Sequence, residues 1–78
     1  MNAVLKATLP QHYTREWRQF WQDNIHFAGP DVRLELGDDW ATVRCSHSGR
    51  LLDQFNLATI RSEIIGRLAQ LRLERAPR

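Results

Sequence analysis

A single cysteine, Cys45, among 78 residues rules out a disulfide within the chain and suits a reducing compartment. Long apolar runs are missing too: none approaches the roughly 18 residues that a membrane span needs. The first ten residues, with Val4 and Leu5 around Lys6, lack the apolar stretch and small-residue cleavage site of a secretory signal. Together these absences predict a cytoplasmic chain with no membrane partner. There is no internal repeat, low-complexity tract or linker, so residues 1–78 are read as one domain. At this length only about 60–65% of the unfolded surface is buried on folding, so the core is thin. Also missing is any catalytic or cofactor signature.

What is present is an ordinary globular composition, 42% hydrophobic and 26% charged, which argues against disorder. The net charge is +2 but unevenly spread. Residues 57–78 carry Arg61, Arg67, Arg72, Arg75 and Arg78 against Glu63 and Glu74, giving +3. Residues 29–56 carry Arg33, Arg44 and Arg50 against Asp31, Glu35, Asp38, Asp39 and Asp53, giving −2.

Leu57, Ile60, Ile64, Leu68 and Leu71 recur at three- and four-residue steps, a stripe about 80° wide on an α-helix expected over Leu57–Arg75. A lone helix of this length is marginal in water, so the preceding residues must cover that stripe. Asn56 is the expected N-cap, with Thr59 competing. Arg72, Arg75 and Arg78 crowd the C-terminal end, where cations complement the helix dipole, and Pro77 stops it. An earlier helix is expected from Pro10 or Thr14 to Gly29-Pro30, with Tyr13, Trp17, Phe20, Asn24 and Phe27 on its buried face and Trp21 and Ala28 beside them. Residues 1–9 read as an arm or short edge strand.

Between the helices the period falls from 3.6 to 2. Val32, Leu34 and Leu36 alternate with Arg33 and Glu35, and Ala41, Val43 and Cys45 alternate with Trp40, Thr42 and Arg44. Arg50 to Phe55 reads as a third strand, with Leu51 and Phe55 turned inward and Leu52 and Gln54 outward. Gly37-Asp38-Asp39 and Ser46-His47-Ser48-Gly49 supply the turns. The order α-β-β-β-α predicts an α+β fold, a three-stranded antiparallel meander with both helices on one face. The other face would show Arg33, Glu35, Trp40, Thr42, Arg44, Leu52 and Gln54.

Chemistry of other kinds is poorly supplied. His12, His26, Cys45 and His47 are zinc-type ligands, but they lack the paired two-to-four-residue spacing of structural sites, so no metal and no cofactor are expected. Cys45 and His47 lack the third, orienting group of a nucleophilic site. Asp38-Asp39 suits a turn better than a cation site. The chain is therefore expected not to be an enzyme.

By size and type a compact α+β chain without a catalytic set resembles the small accessory proteins of phages and mobile elements, including anti-CRISPR and other host-inhibiting proteins. That analogy implies a non-enzymatic protein that binds and blocks or adapts a macromolecular partner. Arg33, Glu35, Trp40 and Arg44 are the expected contacts, since Trp and Arg dominate interface hot spots. Asp38 and Asp39 would pair with a basic, nucleic-acid-handling protein. The alternative is a small nucleic-acid-binding regulator using Arg67, Arg72, Arg75 and Arg78 on phosphates. Self-association as a homodimer, through the open sheet edge or Leu73, is a further expectation.

Overall fold

The computed structural model describes residues 11–75. The expected N-terminal arm, Pro10, the side chain of His12, Pro77 and Arg78 lie outside them. The described order is helix α1 (Gln11–Asn24), a 3-10 turn (Ile25–Ala28), strands β1 (Val32–Leu36), β2 (Trp40–Cys45) and β3 (Leu51–Asn56), and helix α2 (Arg61–Arg75). The sheet is antiparallel in the order β1-β2-β3. This is the expected α+β meander, since the period-2 stretches became strands and the period-3.6 stretches became helices.

Facing residues across an antiparallel ladder share a side of the sheet. Leu36, Ala41 and Phe55 form one such row and Leu34, Val43 and Asp53 the next. Both helices reach this side. The Trp21 ring of α1 lies 5.4 Å from that of Phe55, and the Arg67 guanidinium of α2 lies 4.4 Å from the same ring. Trp17, Trp21, Ala28, Ala41, Val43, Phe55, Ile64, Leu68 and Leu71 are buried there as one core.

On α1 the buried stripe is centred on Trp17 and Trp21. Tyr13, expected inside, is exposed, and Phe20 and Phe27 are half-buried. The two indoles meet edge to face at 5.7 Å, as their quadrupoles favour. The last turn tightens to a 3-10 turn, and Gly29 at φ 95° ends it in a conformation that side chains other than glycine resist.

Helix α2 starts four residues later than its apolar stripe suggests. Asn56 Oδ1 accepts the Ala58 N–H at 2.9 Å, an Asx turn, and the Thr59 N–H closes on the Asn56 carbonyl at 3.0 Å. The Leu57 N–H donates to Asp39 at 2.8 Å, prolonging the β2–β3 ladder past β3. Asn56 therefore caps a turn, not the helix, and the first helical bond runs from the Ile64 N–H to the Ile60 carbonyl. Ile60, expected in the stripe, is 66% exposed.

The β2–β3 register slips between Val43 and Arg44: Val43 faces Asp53, but Arg44 faces Leu51. This bulge exchanges the two leucines. Leu51, expected inside, is 50% exposed, whereas Leu52, expected outside, packs against the core.

Candidate functional site

The helix-free side of the sheet carries the residues singled out by alternation. In register, Arg33 faces Arg44, and Glu35 faces Thr42, which faces Gln54. Arg44 donates through Nε to Glu35 Oε1 at 3.1 Å and through Nη1 to the Gly49 carbonyl at 3.1 Å. Arg33 reaches the other Glu35 oxygen only at 3.9 Å. Glu35 thus bridges two arginines that the register sets directly opposite each other. Thr42, central on this face, is only 4% exposed, and its hydroxyl accepts from Gln54 Nε2 at 3.2 Å.

Trp40 stands at one end of the face, 42% exposed. Its indole lies over Gly37: a Cβ at position 37 would overlap Trp40 Nε1 and Cε2. A side chain at position 37 would have to push the Trp40 ring aside, and the φ of Gly37 is not left-handed. The Gly37 N–H donates to the Trp40 carbonyl at 2.9 Å, closing the hairpin around Asp38 and Asp39. Trp17 Nε1 donates to the same carbonyl at 3.3 Å, which ties the hairpin to the core of α1. Asp38 pairs with Arg18 at 3.6 Å, both largely exposed, a contact of small energetic value. The structure thus places Arg33, Glu35, Trp40 and Arg44 on one face, with Asp38 and Asp39 exposed at the tip beside Trp40.

The arginines of α2 are differently placed. Arg67 binds Asp53 through two nitrogens and Glu63 through a third. Arg75 donates from Nε to Asp31 Oδ2 at 3.2 Å, and from Nη2 to Asp31 Oδ1 and the Ala28 carbonyl, both at 2.6 Å. Its Nη1 bonds the Leu71 carbonyl at 2.8 Å. This clamp fastens the end of α2 to the entry of β1. Arg75 holds the Asp31 carboxyl below the usual carboxylate range, and Asp31 in turn raises the Arg75 guanidinium. Arg61 covers the Trp17 and Phe20 rings at 5.2 and 4.9 Å. Of the four arginines expected on phosphates, Arg67 and Arg75 are committed to carboxylates, Arg72 is exposed and Arg78 is not among the described residues.

Both long-range pairs escaped the sequence reading. Asp31 and Arg75 are 44 residues apart and Asp53 and Arg67 are 14 apart, so no helical or strand spacing marks them. The one trace was an acid, Asp53, at an inward position of a strand.

Cys45 is half-buried, and hydrogen bonding in the following turn, foremost with the Ser48 side chain, lowers its thiol from the usual range. No grouping of three His, Cys, Asp or Glu side chains suited to a metal occurs among the described residues. Two open depressions flank Leu57: one of about 440 Å³ lined by Asp39, Asn56, Leu57 and Ala58, and one of about 280 Å³ lined by Tyr13, Glu16, Leu57 and Arg61. Among the described residues no helix is long and apolar enough to cross a membrane.

The geometry defines the class no further than a small α+β domain whose two described helices lie on one side of a three-stranded sheet. Compared with known proteins, the chain matches no family model, no curated protein and no solved structure.

Proposed function

We propose that this protein is a non-enzymatic interaction protein whose helix-free sheet face binds a macromolecular partner, blocking or adapting it. The observation that carries the reading is Trp40. Its ring is half-exposed and rests over Gly37, and its main chain is tied to α1 by the Trp17 bond to its carbonyl. A large side chain presented in one orientation loses little conformational freedom on binding, which is the property of a hot-spot anchor. Arg44, toward the other end of the face, is oriented by Glu35 and Gly49, so the charged part of the face is prearranged as well.

The hairpin tip suggests the kind of partner. Asp38 and Asp39 stand exposed next to Trp40 and would suit a basic protein surface, such as the phosphate-binding groove of a nucleic-acid-handling complex. Occupying such a groove would give the inhibitory role of a phage accessory or anti-CRISPR protein. Use of α2 on phosphates is the weaker reading, because the Arg67 and Arg75 guanidinium groups already hold Asp53 and Asp31.

The test is capture of a partner from the native host with the wild-type chain, followed by affinity measurement with Trp40→Ala and Asp38→Asn/Asp39→Asn. Loss of about 2 kcal/mol or more for Trp40→Ala is expected of an anchor. Unchanged affinity in variants that keep the wild-type circular dichroism would refute the proposed face.

A further inference from the structure

Strand β1 is an edge of the sheet, and the phase of the ladder decides what that edge offers. The Gly37 N–H donates to the Trp40 carbonyl, and the Ser46 N–H to the Asp31 carbonyl. In the observed register Arg33 and Glu35 therefore turn their main-chain groups toward Arg44 and Thr42. The N–H and C=O groups of Val32, Leu34 and Leu36 point away from β2, where among the described residues no strand pairs with them.

The opposite edge is partly blocked. On β3 the Gln54 N–H donates to Asp53 Oδ1 at 2.8 Å and the Asn56 N–H to Thr59 Oγ1 at 3.4 Å, and the bulge distorts the strand. These are devices that keep an edge from pairing again. Strand β1 has no proline, lysine or bulge. It also carries a charge that is only weakly paired, Arg33 reaching Glu35 at 3.9 Å. Arg33 lies directly opposite Arg44, a disfavoured like pair, and the nearby Glu35 is already held more closely by Arg44.

We infer that β1 pairs antiparallel with β1 of a second copy of this chain, about a two-fold axis at Leu34, making one continuous six-stranded sheet. Leu34 then exchanges main-chain bonds with Leu34 of the second copy, and Val32 does so with Leu36. Arg33 meets Glu35 of the second copy in the close, non-hydrogen-bonded positions, about 4.5 Å apart at Cα. Charge selects this register. The two neighbouring registers that keep the hydrogen-bond phase set Arg33 against Arg33 or Glu35 against Glu35. On the core side, the half-buried Val32, Leu34 and Leu36 rows of the two copies become continuous. The pairing is isologous, so it uses both β1 edges and leaves the partly blocked β3 strands outermost. It involves the purified chain alone and does not depend on the partner proposed above.

The experiment is sedimentation velocity from micromolar to submillimolar concentration on the wild type, Arg33→Glu and Glu35→Arg. The wild type is expected to rise from one-copy to two-copy mass, and each variant alone to stay at one copy. An equimolar mixture of the two variants is expected to recover the two-copy mass, because each supplies the charge the other needs. Amide exchange read on the wild type covers the case of a variant that fails to fold. Leu34 and Leu36 should slow by about tenfold or more at the highest concentration while Gln54 does not change. A wild type that stays at one copy, variants that associate as the wild type does, a mixture that stays at one copy, or loss of association on Leu73→Glu alone would each overturn the inference.

Discussion

Gly66 lies in the interior of α2, and a Cβ built on it meets nothing within 4 Å. Its φ is not left-handed, so the fold gives no reason for glycine there. Gly66→Ala should therefore stabilise the protein. Glycine in a helix interior is about 0.8–1 kcal/mol less favourable than alanine, because it gives up more backbone freedom on folding. With an unfolding entropy of about 2.1 cal/mol/K per residue, a chain of 78 residues should gain about 5–6 °C in Tm. Thermal and urea unfolding followed by circular dichroism would measure it. The urea midpoint should rise with an unchanged m-value if the native and unfolded surfaces are as before. An unchanged or lowered Tm would refute the reasoning, since it would mean that position 66 faces another surface or is not in a helix.

The core assignment predicts that Leu68→Ala, at a fully buried site, loses about 2–5 kcal/mol in urea unfolding. Ile60→Ala should stay within about 0.5 kcal/mol, and similar losses at both sites would refute the late helix start. For pH, the sign follows from the depressed Asp31 carboxyl. Its pairing with Arg75 stabilises the fold fully above the ordinary carboxylate value of 3.8 and is lost as pH falls through the lower folded value. Asp31→Asn should flatten the acid limb of stability against pH, and an acid limb as steep as the wild type's would show that the pair contributes nothing there. Gly37→Ala should displace the Trp40 indole, shifting its N–H resonance well beyond those of Trp17 and Trp21. A stationary Trp40 resonance would show that the ring does not rest on residue 37.

Much of the fold was legible because its signals are local. The alternation of Val32–Leu36 and Trp40–Cys45 marked two strands at their observed bounds, and the glycine pairs with polar residues marked their turns. The helix-free face was legible for the same reason, since alternation assigns Arg33, Glu35, Trp40 and Arg44 to one side whatever lies across from them. The expectation failed where a neighbour in space overruled the pattern. The ladder bond from Leu57 to Asp39 and the turn that Asn56 closes with Ala58 and Thr59 take up the residues after β3, so the stripe that begins at Leu57 becomes helix only at Arg61.

Periodicity, turn chemistry and size thus determined, from the sequence by itself, the types and order of the elements and the single-sided arrangement of helices on a three-stranded sheet. Only the tertiary structure decided which of Leu51 and Leu52 faces the core, which arginines of α2 are held by carboxylates, and that Trp40 rests on Gly37. The physical reason is range. A hydrophobic period repeats within one element and can be read along the chain, whereas a bulge, an ion pair across 44 residues and the contact of a ring with a backbone depend on how separate segments meet.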